Sequence, residues 1–443
     1  MSAITSKQKT SFVVKGRVGE KYLNGSVSIS GAKNAALPAL AASILFDDEI
    51  SYNSIPFIDD IQVFMEILSS LGADIKKTND GASVSFGGKM PKSVIDPSAM
   101  CALRGSIILT GPLLARTGRV VFSSPMGCPI GKRPIDFFID GFKSFGADIT
   151  IKENGGIEYV VTAPKGGLVG TEIFMRHMSV TATETLIFTA LLAKGTTVLK
   201  NCAIEPEVSH LVEFLNKCGA VITGAGTPTI TIEGGSLLKA SGKSYTLPAD
   251  RVEAGSFLML GILAAENLEI TNCNPEHLES LIDTLRRSGA NNFEVTKNSF
   301  IIKKEDRKKV LPASYPINIQ THEYPGFPTD LQSIIAVYAS QLKGRSFIFE
   351  SIFEDRFRYL DYLKKFGVRF NMINRREIEI DGPTKLNGSV ITKVPDLRAG
   401  FALITAAAIA EGETVIRDLK HVNRGYEDLE KKLRGIGLDI IRE

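Results

Sequence analysis

Six copies of one phrase run through the chain, and they constrain its fold more than any other feature. The phrase is an amphipathic helix that ends at Gly and is followed by a short strand. It reads LSSLGADI at 68–75, FKSFGADI at 142–149 and LNKCGAVI at 215–222. It returns as LRRSGANN at 285–292, LKKFGVRF at 363–370 and LRGIGLDI at 433–440. The glycines are Gly72, Gly146, Gly219, Gly289, Gly367 and Gly437, spaced 74, 73, 70, 78 and 70 residues apart. Gly is the usual residue just past a helix end, because it enters the left-handed region without a Cβ penalty. One such Gly means little, whereas six at near-constant spacing mark a repeat architecture.

A second phrase keeps the same period: an apolar helix, a polar turn and a β-rich strand. Examples are ALPALAASILFDDEISY, SIILTGPLLARTGRVVF and TLIFTALLAKGTTVLKN in the first half. The second half has SFLMLGILAAENLEI, SIIAVYASQLKGRSFIF and FALITAAAIAEGETVIR. These helices are apolar nearly all round, which predicts burial, with the amphipathic helices outside. Only six residues follow Gly437, too few for the strands that end a repeat. Segment 11–30 carries strand-like alternation at Val27 and Ile29, so the N-terminal segment is expected to complete the sixth repeat. Two domains of three repeats follow: 33–247, and 1–32 with 248–443. The expected fold is α/β, two inside-out, barrel-like domains with a cleft between them. Two crossings, near Gly31–Ala32 and Leu247–Ala249, suit hinge closure on a ligand.

Composition narrows the function. With 52 basic against 49 acidic residues and no block of like charge, the chain does not read as a nucleic-acid wrapper or a polybasic membrane anchor. No apolar run approaches the roughly 20 residues of a membrane span. Met1–Thr10 is polar, unlike a signal peptide, so a cytosolic location is expected. Five cysteines, Cys101, Cys128, Cys202, Cys218 and Cys273, form no C-x-x-C pair. All except Cys128 are expected to be small buried hydrophobes. The five His are scattered, and no Walker, dinucleotide, HExxH or G-x-S-x-G motif occurs.

Each buried helix begins beside polar residues: Lys33 and Asn34, Arg104, Ser179 with Thr183, Asp250 with Arg251, Asp330, and Arg398. If the helices of a domain run parallel, their N-termini gather free N–H groups and partial positive charge at one end. With Lys33, Arg104 and Arg398 this makes a receptor for phosphate or carboxylate. Loop SSPMGCPIGKRPID at 123–136 places Cys128 between glycines and near Lys132 and Arg133, surroundings that lower a thiol pKa. Asp330, after Pro328 and Thr329, can be either a helix cap or a general base among cations. Arg356 and Arg424 are read as starting surface helices, where a cation opposes the dipole and suggests a ligand.

From about Phe12 to the C-terminus the sequence resembles the UDP-N-acetylglucosamine 1-carboxyvinyltransferase family of enolpyruvyl transferases. The motifs are SGAKNAALP at 30–38, GCPIGKRPID at 127–136, YPGFPTD at 324–330, DLRAG at 396–400 and RGYE at 424–427. The resemblance implies transfer of the enolpyruvyl group of phosphoenolpyruvate to the sugar 3-hydroxyl, with release of phosphate through a tetrahedral ketal. It makes Cys128 the loop cysteine that protonates the methylene or forms an adduct, and the site of attack by the epoxide phosphonate fosfomycin. It makes Asp330 the base candidate, and Lys33, Arg104, Arg133, Arg398 and Arg424 the basic cluster around the anions. Asn34, Pro134, Asp136, Phe137, Ser179, Val180, Thr181 and Ile352 fall where the family contacts the UDP-sugar, and Arg356 falls near its cleft. No cofactor and no metal are implied. The implied partners are the two small-molecule substrates, without nucleic acid or membrane insertion. Met126, Phe138 and Thr181 stand where Gly, His and Gly are usual. A 3-phosphoshikimate 1-carboxyvinyltransferase is the nearest alternative, and a non-catalytic nucleotide-sugar-binding paralogue the next.

Overall fold

A computed structural model of the chain describes residues 11–124, 131, 133–153, 156–303 and 314–443. The described residues form two compact units. One joins the segment ending at Ser30 to Ala249–Glu443, and the other lies within Gly31–Pro248.

All six repeat glycines have positive φ, from 88° at Gly146 to 110° at Gly72. That conformation is strained for any residue with a Cβ, which is why the phrase keeps Gly there. The six apolar segments are helical: Lys33–Ala42, Thr110–Thr117, Val180–Ala190, Arg251–Ala264, Gln332–Ala339 and Leu397–Ile409. The second and fifth are entered through 3-10 turns, Arg104–Leu109 and Thr329–Leu331. The fourth is buried at every residue from Val252 to Ala264, and the sixth from Arg398 to Ile409.

Close approach explains the small residues in these helices. A Cβ on Gly255 would lie 2.8 Å from Leu331 Cδ1, and one on Gly261 would lie 2.1 Å from Ile302 Cδ1. Each Gly weakens the helix by about 1 kcal/mol. Burial of neighbours such as Phe257, Leu258 and Ile262, at roughly 2 kcal/mol each, outweighs that cost. In the other unit a Cβ on Gly111 would meet the Thr185 carbonyl oxygen at 2.3 Å, so the second and third buried helices approach backbone to backbone there. The fourth, fifth and sixth helices likewise pack on one another.

The strands form six separate sheets, five four-stranded and one three-stranded. Among the described residues they close no barrel, and the expected inside-out threefold repeat is made in each unit by three sheets laid over three core helices. In the four-stranded sheets an edge strand runs parallel to the strand that follows the buried helix. Two antiparallel strands complete each sheet. The N-terminal segment is divided between two sheets. Strand β1 (Ser11–Gly16) lies between Gly412–Arg417 and Asp439–Arg442, antiparallel to both. Strand β2 (Leu23–Ser28) goes instead to the fourth repeat, parallel to Ala265–Thr271.

Cys202, Cys218 and Cys273 are buried, and desolvation pushes the thiols of Cys202 and Cys273 up to about 12 and about 11. Cys101 departs from the expectation: it is exposed, on the outer face of the short helix Pro97–Ala102. No helix among the described residues is long and apolar enough to cross a membrane.

Candidate active site

In the unit carrying Ala249–Glu443, Asp330 occupies the 3-10 turn that leads into the fifth buried helix. The N-cap position of that turn is Pro328 rather than Asp330. Asp330 binds two arginines. Oδ1 accepts from Arg356 Nη2 at 2.9 Å, and Oδ2 accepts from Arg398 Nη2 at 3.0 Å and Nε at 3.2 Å. Both guanidiniums are 3% exposed, whereas Asp330 is 29% exposed, so the carboxylate forms the accessible face of the cluster. Burial works against charge on Arg356, but the fields of Asp330, Asp396 and Glu350 more than offset it and raise its pKa. Arg398 is likewise desolvated and held above the ordinary value, chiefly by Asp330.

The sequence fixes this geometry locally. Asp396 caps the sixth buried helix by accepting from Arg398 N at 2.8 Å and Ala399 N at 2.9 Å. That sets the helix start, and with it the point where Arg398 projects. The Arg398 guanidinium lies 5.6 Å from the centre of the Tyr426 ring. The Tyr426 hydroxyl is 3.4 Å from Ser256 Oγ on the fourth helix. Arg398 Nη1 is buried with no hydrogen-bond partner among the described residues. A buried donor of this kind is costly unless an acceptor arrives, and a ligand phosphate or carboxylate would serve. Arg424 does not start a helix. It is the C-cap of the turn Lys420–Asn423, where a cation is favourable, so the opposed-dipole argument fails for it. Arg356 does open a 3-10 turn, Arg356–Tyr359. The Ile352 amide donates to Glu350 Oε1 at 2.9 Å.

In the unit within Gly31–Pro248, Lys33 begins the first buried helix and pairs with Asp60, Nζ to Oδ2 at 3.2 Å. Asp60 sits in the first turn of the helix Asp59–Ser70, where a carboxylate also suits the dipole. Asn34 follows, half-buried. Arg104 donates through Nη2 to the Arg133 carbonyl. Its pKa falls to about 10, first by desolvation and then by the charge of Arg133. Ser179 caps the third buried helix by accepting from Ala182 N at 3.3 Å, so its ordinary capping role is real. Val180 and Thr181 are half-buried in that first turn, and Thr181 contributes its carbonyl to Thr185 Oγ1 at 2.7 Å. Pro134 and Asp136 are exposed, and Asp136 starts the helix Asp136–Ser144. Phe137 meets His177 edge to face at 5.8 Å, while Phe138 is buried in the core. Cys128, Met126 and Lys132 lie outside the described residues.

The structure therefore joins Asp330, Arg356 and Arg398 in one ion cluster, Lys33 with Asp60, and Arg104 with the Arg133 backbone. Sequence reasoning missed Asp60, Tyr426 and Glu350. It also missed a second polar network. Lys432 Nζ binds Glu253 Oε1 at 2.6 Å and Ser30 Oγ at 2.7 Å, and Ser30 Oγ donates to Glu427 Oε2 at 2.6 Å. Ser30 and Glu427 both belong to the quoted motifs, which was the available signal. Among the described residues no group of His, Cys, Asp or Glu is placed to hold a metal ion.

A family model described as EPSP synthase (3-phosphoshikimate 1-carboxyvinyltransferase) matches residues 18–433. The UDP-N-acetylglucosamine 1-carboxyvinyltransferase 1 of Caldanaerobacter subterraneus is 40% identical over 98% of this chain and 100% of its own. The UDP-N-acetylglucosamine 1-carboxyvinyltransferase of Koribacter versatilis is 39% identical over 97% of this chain and 96% of its own. Among solved structures, the enolpyruvyl transferase NikO from Streptomyces tendae superposes with a TM-score of 0.83 at 24% identity, covering 98% of this chain and 99% of NikO. EPSP synthase from Acinetobacter baumannii gives 0.71 at 18% identity, with 98% and 99% covered. These two likenesses speak for the fold. By the full-length identities, the chain belongs to the UDP-N-acetylglucosamine 1-carboxyvinyltransferase family, within the wider enolpyruvyl transferases.

Proposed function

We propose that the chain transfers the enolpyruvyl group of phosphoenolpyruvate to the 3-hydroxyl of UDP-N-acetylglucosamine and releases phosphate. The observation that carries the reading furthest is Asp330 held between two buried arginines, with Arg398 Nη1 left as an open donor. Both Asp330 oxygens are engaged. A substrate anion that draws off one guanidinium frees an oxygen to accept the proton of the sugar hydroxyl. The hydroxyl oxygen then bonds to C2 of phosphoenolpyruvate, and C3 takes a proton from Cys128. In the second step C3 gives a proton back to the Cys128 thiolate and the C2–O bond to phosphate breaks, which restores the double bond and releases phosphate with the proton that Asp330 had taken. Lys33, Arg104, Arg133, Arg398 and Arg424 hold the anionic groups, about five negative charges for the two substrates together. Asn34, Pro134, Asp136, Phe137, Ser179, Val180, Thr181 and Ile352 contact the UDP-sugar. In this reading the enzyme works in the cytoplasm at the first committed step of peptidoglycan precursor synthesis.

A phosphate-release assay with phosphoenolpyruvate tests the acceptor. Release is expected with UDP-N-acetylglucosamine and not with shikimate 3-phosphate, and the reverse pattern would install the alternative. Fosfomycin is expected to add one covalent adduct at Cys128, faster in the presence of the UDP-sugar. Intact mass and peptide mapping that place the adduct on Cys101 would remove Cys128 from this role.

A further inference from the structure

Glu350 lies at the end of the strand Gly344–Phe349 and is fully buried, at 0% exposure. A carboxylate cut off from water is costly unless donors surround it, and here four do. Oε2 accepts from Thr329 Oγ1 at 2.8 Å and from Gln332 Nε2 at 3.0 Å. Oε1 accepts from the backbone amides of Ile352 at 2.9 Å and Phe353 at 3.0 Å. The origin of these donors is informative. Thr329 and Gln332 bracket Asp330 in the chain. Ile352 and Phe353 form the turn that leads to Arg356, and the Arg356 guanidinium lies 5.7 Å from the centre of the Phe353 ring. The Glu350 backbone is itself fixed, since its carbonyl accepts from Arg376 Nη1 at 3.0 Å.

We infer that Glu350 is a positioning residue: one buried carboxylate ties the segment bearing Asp330 to the segment bearing Arg356, and so sets the geometry of that ion pair and of the Ile352 amide. A surface salt bridge could tolerate looseness, whereas a base that must meet a hydroxyl cannot, because misplacement by about 1 Å can cost on the order of a hundredfold in rate. The inference rests on the reading of Asp330 as the group that accepts the sugar proton.

The test is a double-mutant cycle with kcat and both KM values as readouts. Asp330→Asn alone is measured first and judges the base assignment, since undiminished turnover there ends that reading without involving Glu350. Glu350→Ala is expected to lower kcat roughly 30-fold, with the KM for phosphoenolpyruvate within about threefold of the parent. On the Asp330→Asn background the same substitution is expected to cost less than about twofold in residual turnover, because the group it positions is already gone. An equal fold-loss on both backgrounds, or a folded Glu350→Ala enzyme with kcat within twofold of the parent, would overturn the inference. If Glu350→Ala shows no cooperative melting transition, Thr329→Val takes its place in the cycle. It removes one hydroxyl at constant shape and is expected to lower kcat about tenfold on the Asp330 background alone.

Discussion

Arginines in the first turns of helical segments in the two units are treated in opposite ways. Arg104 is half-buried, and desolvation followed by the charge of Arg133 pushes its pKa down to about 10. Arg356 and Arg398 are far more buried, yet their pKa values are raised, because Asp330 more than offsets desolvation. Burial by itself disfavours a cation, and a fixed carboxylate reverses the balance. One unit thus holds a prearranged ion cluster that keeps its charge whether or not a ligand is present. The other keeps a cation whose compensation is weaker and which gains more from an arriving anion.

The sharpest way to break this contrast is Asp330→Asn. Turnover is expected to fall on the order of a thousandfold while UDP-sugar affinity, measured by calorimetry, stays within a few-fold. Retained turnover would mean that the cluster is scaffold. A smaller effect is expected from Arg104→Gln: a KM for one anionic substrate raised roughly tenfold with kcat little changed, the signature of lost ground-state binding. A loss confined to kcat would show that Arg104 acts in the transition state instead.

The smallest effect concerns a buried carboxyl group crowded by two others. Glu184, in the third buried helix, is 2% exposed, and burial, then Glu207, then Glu205 raise its pKa well above the carboxylate range. The folded state therefore keeps a proton that the unfolded chain releases above its ordinary pKa of about 4.3. Stability from this group is fully present below that pH and falls as pH rises toward the folded value. Glu184→Gln is expected to flatten that decline and to raise Tm at pH 8 by on the order of 2 °C, with little change at pH 4. A parallel shift at both pH values would assign the effect to packing.

The fold was legible where backbone geometry demands one residue type. The six repeat glycines needed positive φ, and the apolar helices needed total burial, so both left periodic marks. The candidate site was legible as a set of helix starts but not as pairs. Asp330 meets Arg356 across 26 residues and Arg398 across 68, and nothing local announces either contact. Glu350 and Glu184 look like ordinary surface glutamates in sequence; only the packing around them shows otherwise. Arg424 was misread because a motif was taken for a helix start, whereas the chain caps one short helix there before beginning another. The split of the N-terminal segment was hidden because nothing within 11–30 names a strand's partner, and β1 and β2 pair in different repeats.

That split sets an order for synthesis. Strand β1 is made before the unit within Gly31–Pro248, but both of its neighbours, Gly412–Arg417 and Asp439–Arg442, are made after that unit. The unit within Gly31–Pro248 has all its sheet partners once Ser244–Thr246 has paired with Ile50–Asn53. It can condense while the other half is still being translated. Strand β1 must wait, unpaired, until those neighbours are made, and it then enters the middle of its sheet rather than an edge. The unit carrying Ala249–Glu443 therefore closes on a segment made before the other unit, and this late, long-range closure is the step at which a nascent chain is most exposed to mispairing.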